Sequence, residues 1–362
     1  MKLAVAQINP IIGDFDHNIA KIIEFSRIAR EKGFDLVVFP ELVLSGYPPR
    51  DLLEKQDFID ANYQALNQIM KEIKGIGVIC GMVENTPYDE GNPLYNTAVL
   101  FEDGNRLHSA HKRLLPTYDI FDETRYFEPG QDISVADYKG RKIGITICED
   151  VWNDKDFFKR RMYRVDPVPV LIDKGADLII NISASPYSVG KRNFKWSMLS
   201  SIARKYQVPL VYVNQVGGND SVLFDGLSVG FDKTGEMKMR AVDFEEDLIE
   251  FDLDRIDAQS FYEGVFHLIT ESNTESLYKA LVMGTHDYVT KCGFSTAVIG
   301  LSGGIDSALT LCIAVDALGK ENVSAIFMPS RYTSNDNYFD TKRLADNLTA
   351  SEGKPVFSLA KF

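Results

Sequence analysis

Cysteine, histidine and tryptophan are scarce: 362 residues carry four Cys, five His and two Trp. Four thiols (Cys80, Cys148, Cys292 and Cys312) are too few to staple so long a chain, and no two form a C-x-x-C pair. That excludes a disulfide scaffold and leads us to expect reduced thiols in the cytosol. No Cys/His cluster has zinc spacing. No apolar run approaches the roughly 18 residues that a membrane span needs. In the opening MKLAVAQINP, Gln7, Asn9 and Pro10 interrupt the apolar run before a secretory core can build. A soluble, cytoplasmic protein is expected. Basic blocks, internal repeats and low-complexity tracts are also lacking. With 39 basic against 52 acidic side chains, net −13, neither nucleic acid nor membrane is expected as a partner.

What remains is globular: 45% apolar and 25% charged residues, on a length that suits about two domains. Of the net charge, −11 lies in residues 1–265 and −2 in residues 266–362. The first part alternates strand-like runs (3–9, 35–41, 77–84, 97–101, 142–150, 177–183, 209–215) with helical patterns over 17–32, 58–74, 155–174 and 193–206. Hairpin signals follow to residue 253, with a turn at Asp232–Gly235. Residues 243–263 hold nine acids against one base, Arg255, which reads as a solvated edge and linker. Beyond it, helix 275–291, strand 295–301, helix 306–318, strand 323–329, helix 336–348 and an apolar piece at 355–359 give a doubly wound beginning. The expected class is α/β with layered sheets, the domain boundary falling near 265–274.

Two strands of the first domain end in reactive groups, Glu41 after DLVVFP and Cys148 after KIGITI. Ligands of α/β sheets sit outside the carboxyl ends of strands, so both groups are expected at one crevice. A thiol beside a carboxylate base is a nucleophile for acyl transfer, and Lys112 would supply a positive charge for the oxyanion. Each group alone is weak evidence: a strand-end Cys is usually filler, and a Glu after Pro is usually a turn residue. His108 and His111 lie in the polar approach to Lys112, where a solvated loop face is expected rather than a Cys–His mechanism.

With their flanks, the segments FPELVLSGYPPRDLL, HKRLLPTYDIFDETRYFEPG and ICEDVW resemble the three signatures of the nitrilase (carbon–nitrogen hydrolase) superfamily, most closely the glutaminase branch fused to NAD synthetases. The resemblance covers residues 1–260. It implies a four-layer α-β-β-α sandwich over 1–265 and a Glu41–Lys112–Cys148 triad, with Glu123 tuning Lys112. It also implies that Tyr47, Tyr118, Glu149, Trp152 and Ser185 hold the amino-acid end of glutamine. Lys191 stands where arginine is common in that branch, which keeps the charge and loses the bidentate fork.

In the second part, STAVIGLSGGIDSALTL sets a Gly-rich turn between strand and helix, without the Lys of a Walker A loop. Backbone N–H groups at a helix N-terminus suit a pyrophosphate. The hexapeptide Ser302-Gly303-Gly304-Ile305-Asp306-Ser307 resembles the PP-loop of ATP pyrophosphatases, and MPSRYTS (328–334) resembles the segment beside the adenine in NAD synthetases. The resemblance implies that Ser302, Gly303, Gly304, Asp306, Ser307 and Met328 bind ATP, with Asp306 on Mg²⁺. It implies an incomplete doubly wound (adenine nucleotide alpha hydrolase-like) α/β domain over 270–362.

Together the two resemblances imply the glutamine-dependent NAD synthetase family: ammonia from glutamine would amidate AMP-activated deamido-NAD, with ATP and Mg²⁺ and no tightly bound organic cofactor. Homo-oligomers built through the nitrilase domain are implied as well, and an ammonia tunnel follows from the chemistry. Only 88 residues run from Glu275 to the last, so we expect a fragment with its glutaminase intact and its synthetase site incomplete. The alternatives are a stand-alone amidase of the nitrilase superfamily and an ammonia-donor subunit needing a partner chain.

Overall fold

The computed structural model describes residues 1–258, 262–329, 331–349 and 357–359. They form two compact units, residues 1–217 with 222–270, and residues 218–221 with 271–362. The first unit opens with strand β1 (Lys2–Gln7), helix α1 (Phe15–Glu31), β2 (Leu36–Val38), helix α2 (Gln56–Glu72), β3 (Gly77–Asn85), β4 (Leu94–Glu102) and β5 (Asn105–His111). A six-stranded sheet takes the order Asp247–Asp252, β1, β2, β3, β4, β5. The chain continues through β6 (Val135–Tyr138), β7 (Arg141–Ile147), helix α3 (Pro167–Asp173), β8 (Leu178–Ser183), helix α4 (Lys191–Tyr206) and β9 (Leu210–Asn214). A second sheet of seven strands runs from β6 through β7, β8 and β9 to Val229–Phe231, Met237–Arg240 and Val265–Phe266.

Alternation along the strands decides how these pieces stack. Leu3 and Val5 of β1 join Leu178, Ile180 and Ile182 of β8 in one core between the two sheets. Ala4 and Ala6 turn the other way, onto Ile19 and Ile22 of α1 and Leu66 and Ile69 of α2. On the far side, Ile179 and Leu210 meet Val168 and Leu171 of α3 and Met198 and Ile202 of α4. Both faces of each sheet are therefore covered, which is why its strands read as continuous apolar runs. The result is the expected four-layer α-β-β-α sandwich.

Four expectations are corrected. The helix over 155–174 reduces to Pro167–Asp173. Proline disfavours helical backbone in the residue before it and fits the first helical turn itself, and the Asn153 side chain donates to the carbonyls of Tyr163 and Val165 instead. The strand over 35–41 ends at Val38, so Glu41 lies in the turn beyond it. The polar approach to Lys112 is a strand, β5, and His111 there stacks on Tyr95 at 4.2 Å, so a solvated loop face is not what the two histidines occupy. Of the solvated edge and linker expected over 243–263, the edge holds and the linker does not: Asp247–Asp252 pairs antiparallel with β1 at the edge of its sheet, and buried Asp252 caps the short helix Leu253–Asp257. Residues 259–261 of that stretch lie outside the described residues.

The second unit contains helix Asn273–Lys291, strand Ala297–Leu301, helix Ile305–Leu318, strand Val323–Phe327, helix Asn335–Thr349 and strand Phe357–Leu359. Its strands are parallel, in register from Ala297 on Val323 to Leu301 on Phe327. Leu301, Leu311, Ala314, Val323 and Ala325 make its core. Of the apolar piece expected at 355–359, residues 355–356 lie outside the described residues, as does Ser330 of MPSRYTS. Among the described residues no helix is long and apolar enough to cross a membrane.

Candidate active site

Glu41 is carried by the turn after β2, which lies against the middle of β3. Gly81 donates to the Pro40 carbonyl, and Leu44 donates to that of Gly81. A Cβ at Gly81 would come within 2.1 Å of the Leu42 nitrogen and 2.8 Å of the Glu41 Cα. Only glycine admits that approach, since backbone atoms cannot swing aside. Gly81→Ala is therefore expected to cost about 1–3 kcal/mol of stability and to reduce the reaction assigned to this site by displacing Glu41. Urea denaturation and activity assays check both; an unchanged midpoint with full activity would contradict the packing.

Lys112 follows β5 directly. Its N–H donates to the Asn96 carbonyl at 2.8 Å and its carbonyl accepts from Gly130 N–H at 2.9 Å, which fixes the backbone. Its Nζ donates to Glu41 Oε1 (2.7 Å) and Glu123 Oε1 (2.8 Å). The Tyr47 hydroxyl donates to the same Glu123 oxygen at 2.8 Å. Glu41 is held further by Asn96 Nδ2 on Oε1 (2.7 Å) and by the Ala184 N–H on Oε2 (2.9 Å). Glu41, Lys112, Glu123 and Tyr47 are all buried. Burial alone would lower the Lys112 ammonium, but Glu123 and Glu41 raise it well above its ordinary range. Burial, set against the pull of Lys112, leaves the Glu123 carboxyl raised.

Cys148 opens a short 3₁₀ turn, Cys148–Val151, at the end of β7, with φ at +44°. A β-carbon is disfavoured in that region, and such strain is typical where a side chain must be presented at a sheet edge. Burial and then the Glu41 charge push the thiol well above its usual range, against the opposing pull of Lys112. The resting group is a thiol that feels both other members of the expected triad. A polar rim follows. Glu149 accepts from the Tyr118 hydroxyl (2.9 Å to Oε2) and from the Tyr163 hydroxyl (3.1 Å to Oε1). Lys191 Nζ lies 5.0 Å over the Trp152 ring. Buried Ser185 donates its N–H to Asn214 Oδ1 at 2.8 Å. A cleft of about 260 Å³ reaches Tyr47 and Glu123 past Phe121 and Tyr126.

The structure thus joins Tyr47, Glu41, Lys112 and Glu123 in one hydrogen-bonded chain. It ties Tyr118 and Tyr163 to Glu149, whose charge feels that of Lys191 over the Trp152 ring, and leaves Ser185 bonded to Asn214. Sequence reasoning missed Asn96, Asp150 and Tyr163. Asn96 was signalled by a lone amide in the apolar run LYNTAVLF; nothing in the sequence singles out Asp150 or Tyr163.

In the second unit, Ser302 and Ser307 hydroxyls lie 3.1 Å apart, and Gly304 N–H donates to Ser302 Oγ at 3.2 Å. Gly303 has φ +85°, and a Cβ there would meet Asn337 at 2.8 Å. The turn is exposed at the N-terminus of helix Ile305–Leu318, with Asp306 in its first turn. Hydroxyls, N–H groups and one carboxylate fit a polyphosphate with Mg²⁺, an ion that commonly takes only one or two carboxylates beside phosphate and water. Met328 is half exposed, and a Cβ on Gly300 would come within 3.2 Å of its Cε. Among the described residues no cluster of three or more His, Cys, Asp or Glu could hold a metal by itself.

Residues 2–263 match the carbon-nitrogen hydrolase family, and residues 277–355 match NAD synthase. A glutamine-dependent NAD(+) synthetase of Synechocystis sp. is 44% identical over 96% of this chain and 62% of its own length. That of Thermotoga maritima is 39% identical over 96% of this chain and 64% of its own length. A solved glutamine-dependent NAD+ synthetase of Acinetobacter baumannii, in complex with ADP, superposes with a TM-score of 0.87 at 38% identity, over 99% of this chain and 64% of that one. The chain therefore spans a little under two thirds of the length of these relatives.

Proposed function

The chain belongs to the carbon–nitrogen hydrolase family, and on that premise we propose that its first unit hydrolyses the side-chain amide of glutamine, supplying ammonia for NAD synthesis. The observation that carries this reading is the buried chain Glu41–Lys112–Glu123 beside a strained, buried thiol. Glu41 takes the Cys148 proton as the thiol attacks the amide carbon. Of the three N–H donors of Lys112, two are spent on Glu41 and Glu123, which leaves the third for the oxyanion. The proton passes to the departing ammonia, and Glu41 then activates water against the thioester, so acid and base roles alternate on one carboxylate. Glu123 and Tyr47 fix the Lys112 ammonium.

Glutamine is favoured over a simple amide by the rim. The Glu149 carboxylate, raised by burial against the Tyr118 and Tyr163 hydroxyls and the Lys112 and Lys191 charges, is assigned to the α-ammonium group. Lys191, Trp152 and Ser185 are assigned to the rest of the amino-acid end. In the second unit Ser302, Gly303, Gly304 and Ser307 would hold ATP phosphates, Asp306 would hold Mg²⁺, and Met328 would lie beside the nucleotide. The Acinetobacter baumannii relative is solved in complex with ADP, which supports an adenine nucleotide as the ligand. In the full reaction ATP would adenylate deamido-NAD with release of diphosphate, and the ammonia would then displace AMP to give NAD; we assign this chain the ammonia-supplying half, with homo-oligomers through the first unit.

The test is ammonia release from glutamine, asparagine, an unsubstituted aliphatic amide and a nitrile. Glutamine should show a kcat/KM at least about 100-fold above the others, the scale on which buried polar partners discriminate. Preference for the plain amide or the nitrile would replace this reading with a stand-alone amidase.

A further inference from the structure

Asp150 is absent from the chemistry so far, yet it touches both arms of the site. It is buried, two residues beyond the nucleophile. Its Oδ2 accepts from the N–H of Ile147 at 3.0 Å, the residue just before Cys148. Its Oδ1 accepts from the N–H groups of Arg113 (3.0 Å) and Leu114 (2.8 Å), the two residues just after Lys112. One carboxylate thus bridges the end of β7, from which the thiol is presented, to the loop that leaves Lys112. We propose that Asp150 is a positioning residue that sets the spacing between the Cys148 thiol and the Lys112 ammonium, and through it the rate of thioester formation. This rests on the assignment of Cys148 and Lys112 as nucleophile and oxyanion partner.

The physics favours the bridge. Cys148 holds a positive φ, so its elbow relaxes unless something over-determines it. The Lys112 backbone itself is anchored by Asn96 of β4 and by Gly130 in the loop before β6, neither of which belongs to β7. The Ile147 and Leu114 N–H groups would otherwise be buried donors, and that of Arg113 a half-buried one, without this acceptor, a costly state that the carboxylate removes. A displacement of about 1 Å between reacting groups costs on the order of 100-fold in rate. Asp150 acts through those groups and touches no substrate atom.

Asp150→Asn keeps the shape. Its amide oxygen still serves Arg113 and Leu114, while its NH₂ faces the Ile147 N–H, donor against donor, and frees the elbow. The expected result is a kcat for glutamate release lower by about 100-fold, with KM within about threefold, per folded molecule counted by near-ultraviolet circular dichroism. An amide-to-ester replacement at Leu114 deletes one donor alone and should lower kcat about tenfold with KM again held. It serves should Asp150→Asn fail to fold. Unchanged kcat in the folded variants, or kcat and KM changing together with melting temperature, would overturn the proposal. Cys148→Ala is run beside them: if it too releases glutamate, the triad assignment itself has failed, whereas an inactive Cys148→Ala with a fully active Asp150→Asn removes only the role given to Asp150.

Discussion

Cys148→Ala is expected to abolish glutamate release from glutamine, by about 10⁴-fold or more, while the protein keeps its fold. Loss of a nucleophile leaves no covalent route, and the remaining groups can only polarise an amide that water attacks slowly. The fold should survive because Glu41, Lys112, Glu123, Tyr47, Asn96 and Ala184 are bonded to one another without the thiol. Removing one buried sulfur costs about 1 kcal/mol, and alanine tolerates φ +44° no worse than cysteine. Since burial and the Glu41 charge hold the thiol above its usual range, alkylation of Cys148 in the wild type should rise as pH is raised above neutral. A variant that matches the wild-type rate would remove the mechanism.

Lys112→Met should damage both rate and stability. Among the described residues the ammonium is the only cation bonded to both buried carboxylates, Glu41 and Glu123, and methionine fills the same length without charge. Removing one partner of a buried ion pair costs about 3–5 kcal/mol at neutral pH. Loss of the oxyanion donor should lower kcat by about 10³-fold. The sign of the pH effect follows from the carboxylates. Burial already raises the Glu123 carboxyl against the pull of Lys112, so without Lys112 its folded-state pKa lies further above the unfolded value of about 4.3. Such groups destabilise least below that value and most once pH has passed the folded pKa. The stability deficit in urea should therefore be small near pH 5 and large near pH 8. A deficit constant across that range would show that Lys112 is held by packing and not by the pair.

How much of this was legible in the sequence depended on local chemistry. The central strands could be read because both faces of each sheet are covered, so runs such as IGITI and LIINI hold a single polar residue each. Strand Asn105–His111 escaped because it lies at a sheet edge and carries exposed Asn105, Arg106 and Leu107, so its composition reads as loop. Asp247–Asp252 was legible as strand and as sheet edge, but not its pairing with β1, since the charge there also suggested a linker and backbone pairing needs no apolar side chain. Glu41, Lys112 and Cys148 could be proposed because each flank carries a motif. Asp150 and Tyr163 could not, since their roles arise only where separate segments meet: Asp150 with Arg113 and Leu114, Tyr163 with Glu149.

The central claim is that glutamine is opened through a thioester on Cys148. Protein mixed with side-chain carbon-labelled glutamine, quenched in acid within one turnover and digested, should yield the label on the peptide containing Cys148 and on no other. The same peptide from Cys148→Ala should be unlabelled. Glutamate release at the full rate with no labelled Cys148 peptide, or label on a different residue, would contradict the account.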